Sequence, residues 1–122
     1  MPGGLRTVLL GAPGSGKGTQ AERVAQALGV PAISTGDMLR QAVADGSELG
    51  ERVAGIMAAG LLVDDELMAE VVRERLGRSD AAAGFLLDGY PRTTGQAETL
   101  DRILEELGVR LDAVVLLEVP EA

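Results

Sequence analysis

The stretch Gly11-Ala12-Pro13-Gly14-Ser15-Gly16-Lys17-Gly18-Thr19 decides how this chain is read. Lys17 is its only lysine; every other cationic side chain is an arginine. Just before it Val8, Leu9 and Leu10 make an apolar run of strand length, and residues 20–28 carry apolar side chains at helical spacing. A glycine-rich loop between a strand and a helix is the setting of a phosphate-binding loop. Gly11, Gly14, Gly16 and Gly18 lack Cβ, so the backbone can turn tightly and aim successive N–H groups inward. The following helix points its positive end at the same spot, and Lys17 adds a flexible point charge for the terminal phosphates. The pattern G-x-x-x-x-G-K-[ST] is met at Gly11, Gly16 and Lys17, with one departure: Gly18 follows the lysine, and the hydroxyl arrives at Thr19. The dinucleotide-binding spacing G-x-G-x-x-G is absent, because Gly14, Gly16 and Gly18 alternate. A chance glycine-rich turn would require neither the strand nor the helix that flank this one.

Working outward, strand and helix patterns alternate. Strands are predicted at residues 7–10, 31–34, 84–88 and 113–119, and helices at 17–28, 37–44, 48–59, 66–77 and 94–107. Gly29, Gly46, Gly60 and Gly108 stand as stops; Ser47, and Asp64 or Asp65, stand as N-caps. Strands separated by helices imply an α/β fold with a parallel sheet covered on both faces. Between the second and third strands, residues 37–63 hold more helix than one crossover needs, which looks like an inserted lobe. The last strand lies at the end of the sequence and would leave an open sheet edge, through which self-association is an expectation.

Composition narrows the function classes. With 122 residues, 46% hydrophobic and 25% charged, the chain suits one small globular domain. No apolar run reaches membrane-spanning length, and Met1-Pro2-Gly3-Gly4-Leu5-Arg6 has no signal-peptide core, so no membrane partner and a cytoplasmic setting are expected. The absence of cysteine and histidine removes disulfides, thiol nucleophiles, zinc-thiolate sites and the commonest general base. A net charge of −8 argues against a nucleic-acid surface. An anionic ligand would need a local cluster of cations.

Four further segments follow the loop in order: Ser34-Thr35-Gly36-Asp37-Met38-Leu39-Arg40, Gly60-Leu61-Leu62-Val63-Asp64-Asp65-Glu66, Phe85-Leu86-Leu87-Asp88-Gly89-Tyr90-Pro91-Arg92-Thr93, and Gln96-Ala97. With the loop, they resemble the adenylate kinases of the nucleoside monophosphate kinase family along nearly the whole chain, and Gly18-Thr19 is that family's form of the loop. The resemblance implies a P-loop nucleoside-triphosphate-hydrolase-like α/β fold with sheet order 2-3-1-4-5. It also implies reversible transfer of the terminal phosphoryl group of ATP to AMP, giving two ADP, with Mg²⁺. Residues 1–122 would be one incomplete P-loop kinase core, with an inserted AMP-binding lobe at about 34–63, and the full-length family is expected to be monomeric.

Carried over by the resemblance, Gly14, Ser15, Gly16, Lys17, Gly18 and Thr19 would bind ATP. Thr35, Gly36, Leu39, Arg40, Met57, Leu61, Val63, Gly89, Arg92 and Gln96 would bind AMP. Lys17, Asp88 and Arg92 would be catalytic, Asp88 orienting Mg²⁺ through water. Each assignment makes chemical sense alone, since phosphoryl transfer asks a protein for positioning and charge neutralisation. Asp88 ends an apolar strand where a metal-orienting carboxylate belongs. Arg40 and Arg92 can make forked, charge-assisted bonds to an α-phosphate, and Tyr90-Pro91 is a stiff turn that directs Arg92. Gln96 offers a donor and an acceptor together, as an adenine edge requires, with Thr35 beside it. Leu39, Met57 and Val63 would be apolar walls; some relatives carry lysine where this chain has Leu61.

A UMP- or CMP-type monophosphate kinase is the nearest rival, with Thr35 and Gln96 favouring AMP. A non-catalytic nucleotide-binding fragment is the alternative from another class. A P-loop GTPase is excluded within this chain, because its guanine-reading motif needs an asparagine and there is none. The resemblance further implies a mobile lid, a fifth strand and several arginines that do not fall within residues 1–122. The expectation is an acceptor site complete in sequence, a donor site with its cradle but not its cover, and poor turnover.

Overall fold

In the central strand β1 (Arg6–Leu10), Thr7, Val8 and Leu9 are buried in succession. Such an unbroken run belongs to a parallel strand covered on both faces, where alternation would leave a polar side chain facing a core. The computed structural model describes residues 5–11 and 17–116, and at 17 and 18 the backbone alone. Its parallel four-stranded sheet has the order β2-β3-β1-β4, with β2 at Ala32–Ser34, β3 at Phe85–Asp88 and β4 at Ala113–Leu116. This is the expected order for those four strands. Arg6 lies opposite Phe85, Thr7 opposite Ala113, and Ile33 opposite Leu87.

Neighbouring strand residues feed two cores. Leu9 and Leu86 pack with Ala21 and Ala25 of α1 (Lys17–Leu28). Val8, Ile33, Phe85 and Leu87 join Val71 and Val72 of α4 (Asp65–Leu76) and Leu100, Ile103 and Leu104 of α5 (Thr94–Leu107). Helices thus cover the sheet, as the alternating pattern implied. No helix among the described residues is long and apolar enough to cross a membrane.

Between β2 and β3 the chain builds α2 (Thr35–Asp45) and α3 (Glu48–Ala58) before α4. Helix α2 starts two residues earlier than the sequence pattern suggests, directly on the end of β2. Ser34 makes this possible: its Oγ accepts from the Asp37 N–H at 3.1 Å, capping the first turn. Helix α2 ends at Gly46, and Ser47 caps α3 by accepting from the Gly50 N–H at 3.1 Å. At Gly50 the two helices pack without room for a side chain: a Cβ there would overlap the Ala42 carbonyl oxygen and sit 2.9 Å from its carbon. Of the two candidate caps for α4, Asp64 takes the role, accepting from the Leu67 N–H at 2.7 Å.

Two strands begin one residue later than expected. Pro31 has no N–H for the ladder, although its carbonyl accepts from Leu86 N–H at 2.9 Å. A 3₁₀ turn at Ser79–Ala81 had no expectation attached. The last predicted strand is seen over Ala113–Leu116, and residues 117–119 fall outside the described ones. Strand β4 pairs with β1 alone among the described residues, and Val114, Val115 and Leu116 are 56%, 43% and 60% exposed.

Candidate active site

The C-terminal ends of the parallel strands gather the polar residues. Strand β1 runs into Gly11, β2 ends on Ser34, β3 ends on Asp88, and α1 begins at Lys17. Ligands of open α/β sheets bind in this crevice, where loops and helix N-termini converge. Gly14, Ser15 and Gly16, and the side chain of Lys17, lie outside the described residues. Thr19 is described. It shares a cavity of about 370 Å³ with Asp88, Ser34, Asp37 and Glu22.

Asp88 is half-buried at its strand end. With Thr19 it offers oxygen donors only, in a chain without histidine or cysteine. Mg²⁺ is a hard ion that takes one or two carboxylates and completes its octahedron with phosphate oxygens and water. The residues present fit that ion. Among the described residues no group of three or more His, Cys, Asp or Glu could hold a metal by itself, so an ion here would lean on phosphate and water.

A second cavity, of about 340 Å³, is lined by Thr35, Leu39, Met57, Leu61, Val63, Gly89, Arg92 and Gln96. These are the residues assigned to the acceptor, all but Gly36 and Arg40. Met57, Leu61 and Leu62 leave 46%, 64% and 94% of their surfaces in solvent, so the cavity has an exposed apolar wall. Grouped exposed apolar side chains beside polar ones mark a binding surface. Gly89 and Arg92 also line a neighbouring cavity of about 640 Å³ that reaches Leu10 and Gly11. Arg92 therefore borders both this cavity and the end of β1 at Leu10 and Gly11.

Arg92 is set by its turn. A cis Tyr90–Pro91 peptide precedes it, and its Nε donates to the Gly89 carbonyl at 2.8 Å. Gly89 has φ of 88°, and a Cβ on it would lie 3.3 Å from Arg92 Nη2 and 3.6 Å from Thr35 Oγ1. Glycine at that position satisfies the left-handed backbone and leaves room between the two side chains. At the start of α5, Thr93 Oγ1 accepts from the Gln96 N–H at 3.1 Å, while Gln96 Oε1 accepts from the Arg92 N–H at 2.7 Å. Gln96 Nε2 donates to Asp65 Oδ1 at 2.8 Å.

Two assigned residues sit differently. Arg40 is ion-paired with Asp37 one turn earlier, its side chain 69% exposed, and neither it nor Gly36 lines the cavity. The Arg40 guanidinium lies over Gly36, where a Cβ would come within 3.2 Å of Nη1. Hydrogen bonding from Arg40, then from Ser34, holds the Asp37 carboxyl below the usual carboxylate range. An incoming phosphate would have to exchange with this carboxylate. The (i, i+3) spacing of Asp37 and Arg40 signalled the pair in the sequence.

The cavity also includes Leu62, Asp65, Met68 and Tyr90, which the sequence reading did not assign to the acceptor. Tyr90 is 1% exposed, and its hydroxyl has no hydrogen-bond partner among the described residues. Burial first, and the charge of Asp65 second, push its phenol above the ordinary value. A larger groove of about 610 Å³ between α3, α4 and α5 lies off the strand ends. Four of its charges are taken up in two ion pairs, Arg52 with Glu70 at 3.2 Å and Arg73 with Glu106 at 2.7 Å.

The family model described as adenylate kinase matches residues 9–122. The adenylate kinase of Kosmotoga olearia is 56% identical over 117 residues, covering 96% of this chain and 54% of that protein. That of Rhizobium meliloti is 54% identical over 118 residues, covering 97% and 62%. That of Archaeoglobus fulgidus is 53% identical over 117 residues, covering 96% and 54%. The chain thus spans little more than half the length of these relatives. Identity at this level across nearly all of the chain exceeds what shared architecture explains, and the chain belongs to the adenylate kinase family.

Proposed function

We propose that the chain serves the transfer of the terminal phosphoryl group of ATP to AMP, giving two ADP. The observation that carries this is the acceptor cavity. It draws Thr35 and Leu39 from α2, Met57 from α3, Leu61 and Val63 from the loop before α4, Gly89 and Arg92 from the turn after β3, and Gln96 from the first turn of α5. The helical lobe at about 34–63 is read as the acceptor-binding unit. Within it the apolar wall would hold the purine face, Thr35 and Gln96 its edge, and Arg92 the α-phosphate.

The phosphate loop and Lys17 would hold the donor's β- and γ-phosphates, with the N-terminus of α1 and the hydroxyl of Thr19 beside them. Asp88 would orient Mg²⁺ through water, and the ion, when bound, offsets charge on the bridging phosphate oxygens. Arg92 borders both cavities, so it can neutralise the oxygens of the acceptor while keeping it in line with the donor.

A coupled ADP assay tests the reading: ADP should form from ATP only when AMP is present, with CMP and UMP as poorer acceptors. ADP formation indifferent to AMP would overturn it. Arg92→Lys should lower AMP affinity roughly tenfold or more, because an ammonium cannot make the paired bonds of a guanidinium. If calorimetry finds that AMP binds the lysine variant as tightly as the parent, Arg92 is not a phosphate ligand.

A further inference from the structure

We infer that Asp65 sets the base specificity of the acceptor cavity by fixing the side-chain amide of Gln96 in one of its two orientations. This rests on the reading that Gln96 meets the edge of the acceptor base. A glutamine by itself is ambiguous. With its oxygen toward C6 of a purine it accepts from the adenine amino group and donates to N1. Turned over, it donates to the oxygen of a 6-oxopurine and accepts from that base's N1–H. Something must stop it turning if adenine is to be preferred.

The two neighbours of Gln96 do so. The Arg92 backbone N–H can only donate, and it faces Oε1 at 2.7 Å. The Asp65 carboxylate can only accept, and it faces Nε2 at 2.8 Å. The orientation follows from these partners, whichever way the amide is first drawn. Turning it over would set an oxygen against a carboxylate and an NH₂ against an N–H. Each end keeps spare capacity, since the NH₂ has a second hydrogen and the oxygen a second lone pair. Those two are what an adenine edge needs. Asp65 and Gln96 both line the cavity, yet they come from different helices 31 positions apart. Asp65 is a positioning residue that acts through Gln96.

Calorimetric titration of the chain with AMP and with inosine monophosphate tests this, because the two ligands share their sugar and phosphate and differ at the base edge. The parent should favour AMP. Asp65→Asn should narrow the ratio of the two affinities about tenfold, the loss of one hydrogen bond's worth of discrimination. An asparagine can present either its oxygen or its NH₂, so it no longer rejects the turned amide. Asp65→Ser, too short to reach, should narrow the ratio similarly. A purely structural role at the first turn of α4 would weaken both ligands together and leave the ratio alone. Gln96→Ala separates the layers. If it leaves the ratio unchanged, Gln96 does not read the base and the inference falls with that reading. If Gln96→Ala collapses the ratio while both Asp65 variants keep the parent's, the Arg92 N–H suffices to hold the amide and the inference about Asp65 alone is overturned.

Discussion

Gly50→Ala should lower the melting temperature by on the order of 10 °C, a loss of about 3 kcal/mol for overpacking a close helix–helix contact. The added methyl would land on the Ala42 carbonyl, and backbone atoms cannot step aside as a side chain can. Relief requires α2 and α3 to separate. Because Leu39 of α2 and Met57 of α3 both line the acceptor cavity, AMP affinity should fall along with stability. Gly55→Ala supplies the contrast on the same helix. A Cβ at Gly55 meets nothing within 4 Å, so the helix should gain up to about 1 kcal/mol. Thermal denaturation of both variants checks the pair. If Gly50→Ala melts with the parent, the two helices are not held at the separation described here.

Lys17→Ala should weaken ATP binding by roughly tenfold to a hundredfold while AMP binding stays nearly unchanged. The lost interaction is a charge-assisted contact to phosphate, worth about 1.5–3 kcal/mol. The chain has no second lysine to substitute, and it carries a net charge of −8, so a polyphosphate has little other attraction to draw on. The acceptor cavity is built from other segments and should not notice the change. Alanine at the first residue of α1 is a good helix former, so the fold should be retained. Calorimetry with each nucleotide is the check: ATP affinity equal to the parent's would remove the donor site from this loop.

Much of this architecture is legible in the residues because each element carries its own start and stop. Helix α5 was bounded correctly from Thr94 to Leu107, where a helical apolar pattern ends on Gly108 in the left-handed conformation with φ of 71°. Helix α2 was not, because Gly36 reads as loop. A glycine is tolerated in a first turn once Ser34 supplies the cap, and that depends on where β2 ends. The sequence motifs named eight of the residues that line one cavity, but not the partners those residues hold. Nothing in the sequence pairs Asp65 with Gln96; packing of α4 against α5 does that. Arg40 differs, because the (i, i+3) spacing of its partner is visible in the sequence. Its motif marks it as a phosphate ligand, and its neighbour Asp37 holds it in the structure.

The sheet order has a consequence for how the molecule comes into being. Strands β1 and β2 never pair with each other; both wait for β3, with Arg6 opposite Phe85 and Ala32 opposite Leu86. A ribosome delivers the N-terminal part first, so the earliest strand has no hydrogen-bonded neighbour until residues 85–88 have been made. Helices α2 and α3, joined by a tight corner, have all their mutual contacts close in sequence and can form meanwhile. Gly11 follows β1, and Gly89, Arg92 and Gln96 follow β3. A nascent chain would therefore acquire the proposed donor and acceptor sites together and late, when β3 closes the gap between the strands on either side of it.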